Sequence, residues 1–304
     1  MDFRWLNSLS EEFTGIGIAP TPREVLAMQA SVPILAQKHG HDVTHFWGKL
    51  TGTQRAYLII VCYTDGLLGE KTYYASLDGV SWFGLPLVTE TLLFHCSHIR
   101  SRITGNPLTI TKVNHPRKPI PFKEITALIP PKPRNEEEEE EEEQQEPEKE
   151  KDEEEEEEEE EELPEYESIS ITEDQRVACI VFIIDRNGLI FPQDSLLWKD
   201  VGHVMLNPLF KTVCDDVTLD DFCRLDKTVR GESARENGII DTMPLLSEDL
   251  PTRGWVISKE SFSGVTKISS RLWSGLCFLT KDHMWGTVYL GNGTRNTDFL
   301  FATE

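Results

Sequence analysis
Apolar residues along this chain change period. After Thr21-Pro22-Arg23-Glu24, Val25, Met28, Val32 and Leu35 recur at helical spacing. Thr21 suits an N-cap, Pro22 the first helical position, and Glu24 the third, where its side chain can reach back to the cap. Pro33 lies inside this run and is expected to kink or interrupt the helix. Gly40 is the expected stop. The pattern then turns β-like. Val43 to Leu50, Tyr57 to Tyr63 and Thr72 to Leu77 are β-branched and aromatic runs. Gly52, Asp65-Gly66 and Asp78-Gly79 punctuate them, which predicts an antiparallel meander. A short helix is expected near Thr89 to Ser97, after Pro86. From Asn106 to Pro133 the chain is Pro-rich and reads as an extended exit from a domain.

The second half repeats the scheme in a different order. Thr172-Glu173-Asp174-Gln175 is another capping box, and Val177, Ile180, Val181 and Ile184 follow at i, i+3, i+4 and i+7. Asn187-Gly188 ends that helix, and LIFP follows as a short strand. A third helix is predicted from Thr218 to about Lys227, with Thr218 capping ahead of Asp221. GWVISKES, GVTKISS, GLCFLTKD and MWGTVYLG predict four short strands between Gly-containing turns, a closing meander. The fold class is therefore α+β, with helices packed on antiparallel β-meanders.

Charge divides the chain. It has 304 residues and a formal net charge of −23. Of its 53 acidic and 30 basic residues, 22 acids and two lysines fall between Glu136 and Glu162. The remaining residues are thus nearly neutral, which gives no support for nucleic-acid binding across the body. Like charges at helical spacing repel, so the acidic run is expected to be a long disordered insertion. The expected organisation is an N-terminal α+β part over 1–134, an acidic loop over 135–165, and a C-terminal α+β part over 166–304, with the two parts free to share one core. MDFRWLNSLS lacks a basic segment followed by a long apolar run, so no secretory signal is expected. No 18-residue apolar run occurs, and AYLIIVCY is strand-length. Six cysteines, at 62, 96, 179, 214, 223 and 277, show no C-x-x-C spacing and read as buried thiols of a cytosolic chain.

Candidate chemistry is sparse. His39, His41, Asp42 and His45 fall within seven positions. Zinc hydrolases with H-x-H-x-D-H converge both histidines and the aspartate on the metal. Here the aspartate directly follows the second histidine, and a strand from Val43 would put His45 on the face of Val43 and Trp47. A polar turn between helix and strand is the better reading. Gly291-Asn292-Gly293-Thr294 lacks the lysine and following helix of a phosphate loop and reads as a turn. Gly15-Ile16-Gly17 has no preceding strand and no third glycine in register. No nucleophile elbow or metalloprotease motif is present. No catalytic, cofactor-binding or metal residue is assigned, and no cofactor is expected. Seven tryptophans stand out, at 5, 47, 82, 198, 255, 273 and 285. Most are expected in the core; an exposed one would mark a partner surface.

Three blocks carry a resemblance. FWGKLTGTQRAYLIIVCY (46–63), LDGVSWFGLPLVTETL (77–92) and SRLWSGLCFLTKDHMWGTVYLGNGTRNTDFLF (270–301) are similar to blocks of the radial spoke head protein 9 family. The likeness spans most of the chain on both sides of the acidic run. Two departures are Ser274, where the family has proline between Trp and Gly, and Pro192-Gln193-Asp194-Ser195-Leu196 in place of P-x-G-A-L. The resemblance implies a non-catalytic structural subunit of the radial spoke head in the axoneme of motile cilia or flagella. It implies relatedness to radial spoke head proteins 4 and 6. It implies as partners those two proteins, head proteins 1 and 10, stalk protein 3, and transient contact with central-pair projections, with no membrane or nucleic acid. Beside it stands a different class, an acidic binding protein or chaperone for basic proteins that works through the Glu run.

Overall fold
The computed structural model describes residues 1–2, 18–41, 43–64, 70–116, 166–200, 203–211, 216–224, 244–260, 263–282 and 284–298. Helix α1 (Pro22–His39) leads into strands β1 (Val43–Thr51), β2 (Ala56–Thr64), β3 (Glu70–Ser76) and the two-residue β4 (Phe83–Gly84). Helix α2 (Glu90–Ser97) and strand β5 (Ile110–Pro116) follow. Strand β6 (Tyr166–Thr172) runs into helix α3 (Glu173–Asn187). Strands β7 (Ile190–Pro192), β8 (Leu196–Asp200), β9 (His203–Leu206) and β10 (Phe222–Arg224) are short. The chain closes with β11 (Trp255–Lys259), β12 (Thr266–Ser270), β13 (Leu276–Lys281) and β14 (Met284–Gly291).

Met1–Thr111 and Ile171–Glu304 form one compact unit. Lys112–Ser170 form a second, whose described residues belong to the paired strands β5 and β6. The acidic run lies outside the described residues.

The fold is α+β. Its centre is one eight-stranded sheet in the order β11-β12-β13-β14-β1-β2-β3-β4. Each meander is antiparallel within itself, but β1 and β14 pair in parallel, through Gly48–Tyr289, Lys49–Leu290 and Leu50–Gly291. The two expected meanders are therefore a single sheet. Buried residues line both of its faces. On one face Val177, Val181 and Ile184 of α3 pack over Tyr57, Ile59, Ile268 and Phe278. On the other, Val25, Met28 and Val32 of α1 pack over Phe46, Leu58, Ile60 and Leu279. This two-sided cover explains AYLIIVCY: β2 is buried from Tyr57 to Cys62 without alternation, because neither of its faces meets water.

The expected capping boxes form. The Glu24 amide donates to Thr21 Oγ1 at 3.3 Å and the Thr21 amide to Glu24 Oε2 at 2.7 Å. Gly40 ends α1 with φ 68°, a left-handed conformation in which glycine bears no Cβ penalty. The Thr172 amide donates to Gln175 Oε1 at 3.1 Å at the start of α3.

Two expectations are corrected. Of the kink or interruption expected at Pro33, the interruption does not occur: helix α1 runs on through it. Proline removes one helical hydrogen bond there, while the fully buried Met28 and Val32 of the preceding turn hold the helix on the sheet. The helix predicted from Thr218 is a single 3-10 turn, Leu219–Asp221. Thr218 and Asp221 do bond, amide to Oδ2 at 2.7 Å, but Phe222 then enters β10, antiparallel to β7. Phe222 is completely buried against Phe278, at 5.5 Å between ring centroids, so tertiary packing overrides the local helix signal. Lys227 lies outside the described residues.

Candidate functional site
The features that organise this molecule meet where β1 and β14 pair. A register shift between Phe46 and Gly48 forms a β-bulge against β2. The bulge keeps Trp47 and Leu50 on the α3 face and leaves Phe46 on the α1 face. Lys49, on the α1 side, bonds both carboxylate oxygens of Glu24 at 2.8 and 3.0 Å and ties β1 to α1. Gly48 must be glycine for a local reason: a Cβ there would lie 2.0 Å from the Tyr289 carbonyl oxygen. Trp47 and Tyr289 lie across this junction with ring centroids 5.4 Å apart. The Gly293 amide donates to Tyr289 Oη at 2.8 Å, and Gly275 approaches the Leu290 carbonyl so closely that a Cβ would sit 2.0 Å from it. The first and last sequence blocks that carry the resemblance are therefore in direct contact.

Before the paired stretch the two strands diverge, and Met1–Asp2 fill the gap. Phe46 N–H donates to Met1 O at 2.8 Å, and Asp2 bridges His45. Beside this wedge lies a cavity of about 500 Å³, with Trp47, Val61, Ile184, Phe191, Met205 and Trp285 among its walls. Such a volume falls within the range that binds small molecules or an inserted side chain. Asp185, in its polar wall, is paired from behind. Lys71 Nζ bonds Asp185 Oδ2, and both side chains are about nine-tenths buried, 10% and 13% exposed. Tyr73 stands near the same carboxylate. Burial, with Asp185 nearby, pushes the Tyr63 and Tyr73 phenols far above the ordinary value, so both stay protonated. The cavity therefore presents apolar surface beside an ion-paired Asp185, an arrangement suited to burying an apolar group.

A third feature clamps the unit together. Glu173, the first residue of α3, is fully buried, and its carboxylate accepts five hydrogen bonds. The donors are Tyr57 Oη at 2.8 Å, the Thr104 amide at 2.8 Å and hydroxyl at 2.7 Å, and the Gly105 and Asn106 amides at 2.6 and 3.0 Å. Burial alone would raise this carboxyl; the donors of Thr104, Gly105 and Tyr57 outweigh it and hold Glu173 below the ordinary glutamate value. Arg176, one turn on, donates to Ser101 O at 2.6 Å and Thr111 Oγ1 at 3.2 Å. The charge thus fastens the 101–111 segment to the start of α3.

The histidines divide between the two faces. His39 and His41 gather at Tyr74, with His41 Nε2 2.9 Å from Tyr74 Oη. His45 lies against Tyr63, at 5.4 Å between ring centroids, on the cavity side. Asp42 lies outside the described residues. The arrangement leaves no position from which all three imidazoles could reach one ion. Gly291–Thr294 is a turn in which Asn292 Oδ1 accepts from the Thr294 amide and hydroxyl at 3.1 and 2.6 Å. Gly15–Gly17 lies outside the described residues. Cys62, Cys179, Cys223 and Cys277 are buried free thiols, and Cys96 is half-buried. Burial pushes the Cys62 thiol up to about 12. Trp47, Trp255 and Trp273 are buried, while Trp82 and Trp285 are half-buried. Sequence reasoning missed the two features that depend on burial, the Glu173 clamp and the Lys71–Asp185 pair. A glutamate in a first helical turn is ordinary, and only the unusual Gly105-Asn106 turn opposite it offers a signal.

No family model matches the chain. It is similar over nearly its whole length to radial spoke head protein 9 homologues. The Xenopus tropicalis protein is 24% identical over 315 residues, covering 99% of both chains. The Homo sapiens protein is 24% identical over 304 residues, covering 95% of this chain and 94% of its own. The Danio rerio protein is 24% identical over 298 residues, covering 94% of each.

Proposed function
We propose that this chain is a structural subunit of the axonemal radial spoke head in motile cilia or flagella, acting without catalysis. The observation that carries the reading is end-to-end similarity to radial spoke head protein 9 homologues from frog, human and fish. The physical organisation supports it. A single sheet covered on both faces, its two meanders interlocked at β1–β14 and its helices fastened by Glu24–Lys49 and Glu173, is a stiff body. Stiffness suits a part that transmits load between partners. In this reading the subunit helps relay signals from central-pair projections to dynein arms. It packs with radial spoke head proteins 4 and 6, with head proteins 1 and 10, and with stalk protein 3. It resides in the cilium or flagellum as part of the axonemal cytoskeleton.

The test is fractionation of motile cilia: detergent extraction, then high-salt release of spokes, probing each fraction for this protein beside a spoke-head marker. The expected result is retention through detergent and co-sedimentation with the marker after salt. Loss into the detergent fraction, or absence from cilia, would overturn the reading. The acidic run, with 22 acids in residues 136–162, favours a second reading as a binder of basic proteins. That reading requires the isolated 136–162 peptide to bind histones as tightly as the whole chain does.

A further inference from the structure
Helix α1 is apolar on two sides. Its inner side, Val25, Met28 and Val32, is buried in the sheet. At 100° per residue, Leu26, Ala30, Pro33, Ile34 and Gln37 fall on the opposite side, and all five are exposed. Leu26 is 65% exposed and Ile34 68%. The patch extends sideways onto the loop after β3. Ser31 Oγ donates to Gly79 O at 2.7 Å, and Trp82 Nε1 donates to Ser31 Oγ at 2.8 Å, so the loop lies along the helix. Val80, in that loop, is 60% exposed. A lone exposed leucine would need no explanation, but this is a contiguous strip with a small residue, Ala30, at its middle.

The charges that α1 places at the two ends of the strip have one sign, while Asp78, on the flanking loop, has its carboxylate taken up by the Val80 and Ser81 amides at 2.8 Å. Glu24, the helix's one acid, is turned to Lys49, with Nζ at 2.8 Å. Arg23 stands exposed at one end and Lys38 at the other, 15 residues apart, or about 22 Å along the helix axis. We infer that the outer face of α1 is a docking surface for an amphipathic helix of a partner protein, one with an apolar strip and acidic residues at both ends. Two other occupants fit less well. A second copy of this chain would bring Arg23 against Lys38 in an antiparallel pair, or each base against its own copy in a parallel pair, which repels in either case. The chain's own run Glu136–Glu162 has the right sign, but contains only Glu, Asp, Gln, Lys and Pro, so it has nothing to lay on Leu26 and Ile34. The surface is inferred from α1 and its flanking loop, and cilia fractionation does not bear on it.

The test uses the full chain and two synthetic 18-residue amphipathic helices with identical Leu/Ala strips, one with Glu and Asp at both ends and one with Lys. Fluorescence anisotropy at low salt should show the acidic-ended helix binding about tenfold more tightly, since two attractive contacts replace two repulsive ones. Leu26→Gln with Ile34→Gln should weaken that binding at least about tenfold while leaving the urea midpoint unchanged, because both side chains are exposed. Arg23→Glu with Lys38→Glu should reverse the preference between the two peptides. Equal binding of the two helices, no binding of either, or indifference to the double Gln variant would each overturn the inference. So would a concentration-dependent dimer in sedimentation that the double Gln variant dissolves, or a 136–162 peptide that competes as well as the acidic-ended helix.

Discussion

The Gly48→Ala substitution tests whether the two meanders are one sheet. An added Cβ would meet Tyr289 O at 2.0 Å, its carbonyl carbon at 2.8 Å and its amide nitrogen at 2.9 Å. All three are backbone atoms, so no side-chain rotation can relieve the overlap. The strands must separate by about 1 Å at the first of the junction's only three paired positions. Overpacking of this kind costs about 1–3 kcal/mol, and each ladder hydrogen bond lost adds about 1 kcal/mol. The expected loss is therefore about 3 kcal/mol, a large share of the roughly 5–15 kcal/mol that stabilises a folded protein. Urea unfolding followed by tryptophan fluorescence measures it, and Trp47, adjacent to the substituted residue and 5.4 Å from Tyr289, reports locally. The control is Gly84→Ala on the edge strand β4, where the nearest atom to an added Cβ is 3.8 Å away. That variant should stay within about 0.5 kcal/mol of wild type. A Gly48→Ala midpoint as close to wild type, at unchanged m-value, would refute the close-packed parallel junction.

Three further outcomes are expected. Glu173→Gln replaces one acceptor oxygen with a donor facing donors and should destabilise by about 2–3 kcal/mol at neutral pH. Because the native carboxyl titrates below its ordinary value, the wild-type advantage should be full above about pH 4.3 and should vanish as pH falls through the lower native value, so parallel pH profiles would contradict the clamp. Asp185→Ala leaves Lys71, 10% exposed, without its carboxylate and should cost about 3–5 kcal/mol, read from the urea midpoint; a loss under about 1 kcal/mol would show the pair to be dispensable. In native protein at pH 7.5, iodoacetamide should label Cys96 before Cys62 or Cys277. The Cys179 thiol and Arg176 lower the Cys96 thiol, whereas burial raises the other two, and peptide mapping showing the reverse order would count against this packing.

Helix and strand are legible in the residues wherever the deciding interactions are local. Thr21 and Thr172 announce their helices because capping boxes close within four residues. The last four strands lie where alternating residues and Gly turns put them. The histidine spacing also argued correctly that His45 belongs with the Trp47 face, since alternation along a strand is a local rule. Long-range packing set the rest. Phe222 carries a helical start signal just before it, yet becomes a strand because its ring fills a space under Phe278. Glu173 looks like an ordinary first-turn acid until Tyr57 and the 104–106 amides enclose it. Above all, nothing in either meander names its neighbour. Periodicity tells a strand which face to bury, but the partner of an edge is set by backbone groups that every residue shares. That Gly48 lies against Tyr289 follows from how two covered sheets close into one, and the glycine records it by the side chain it lacks.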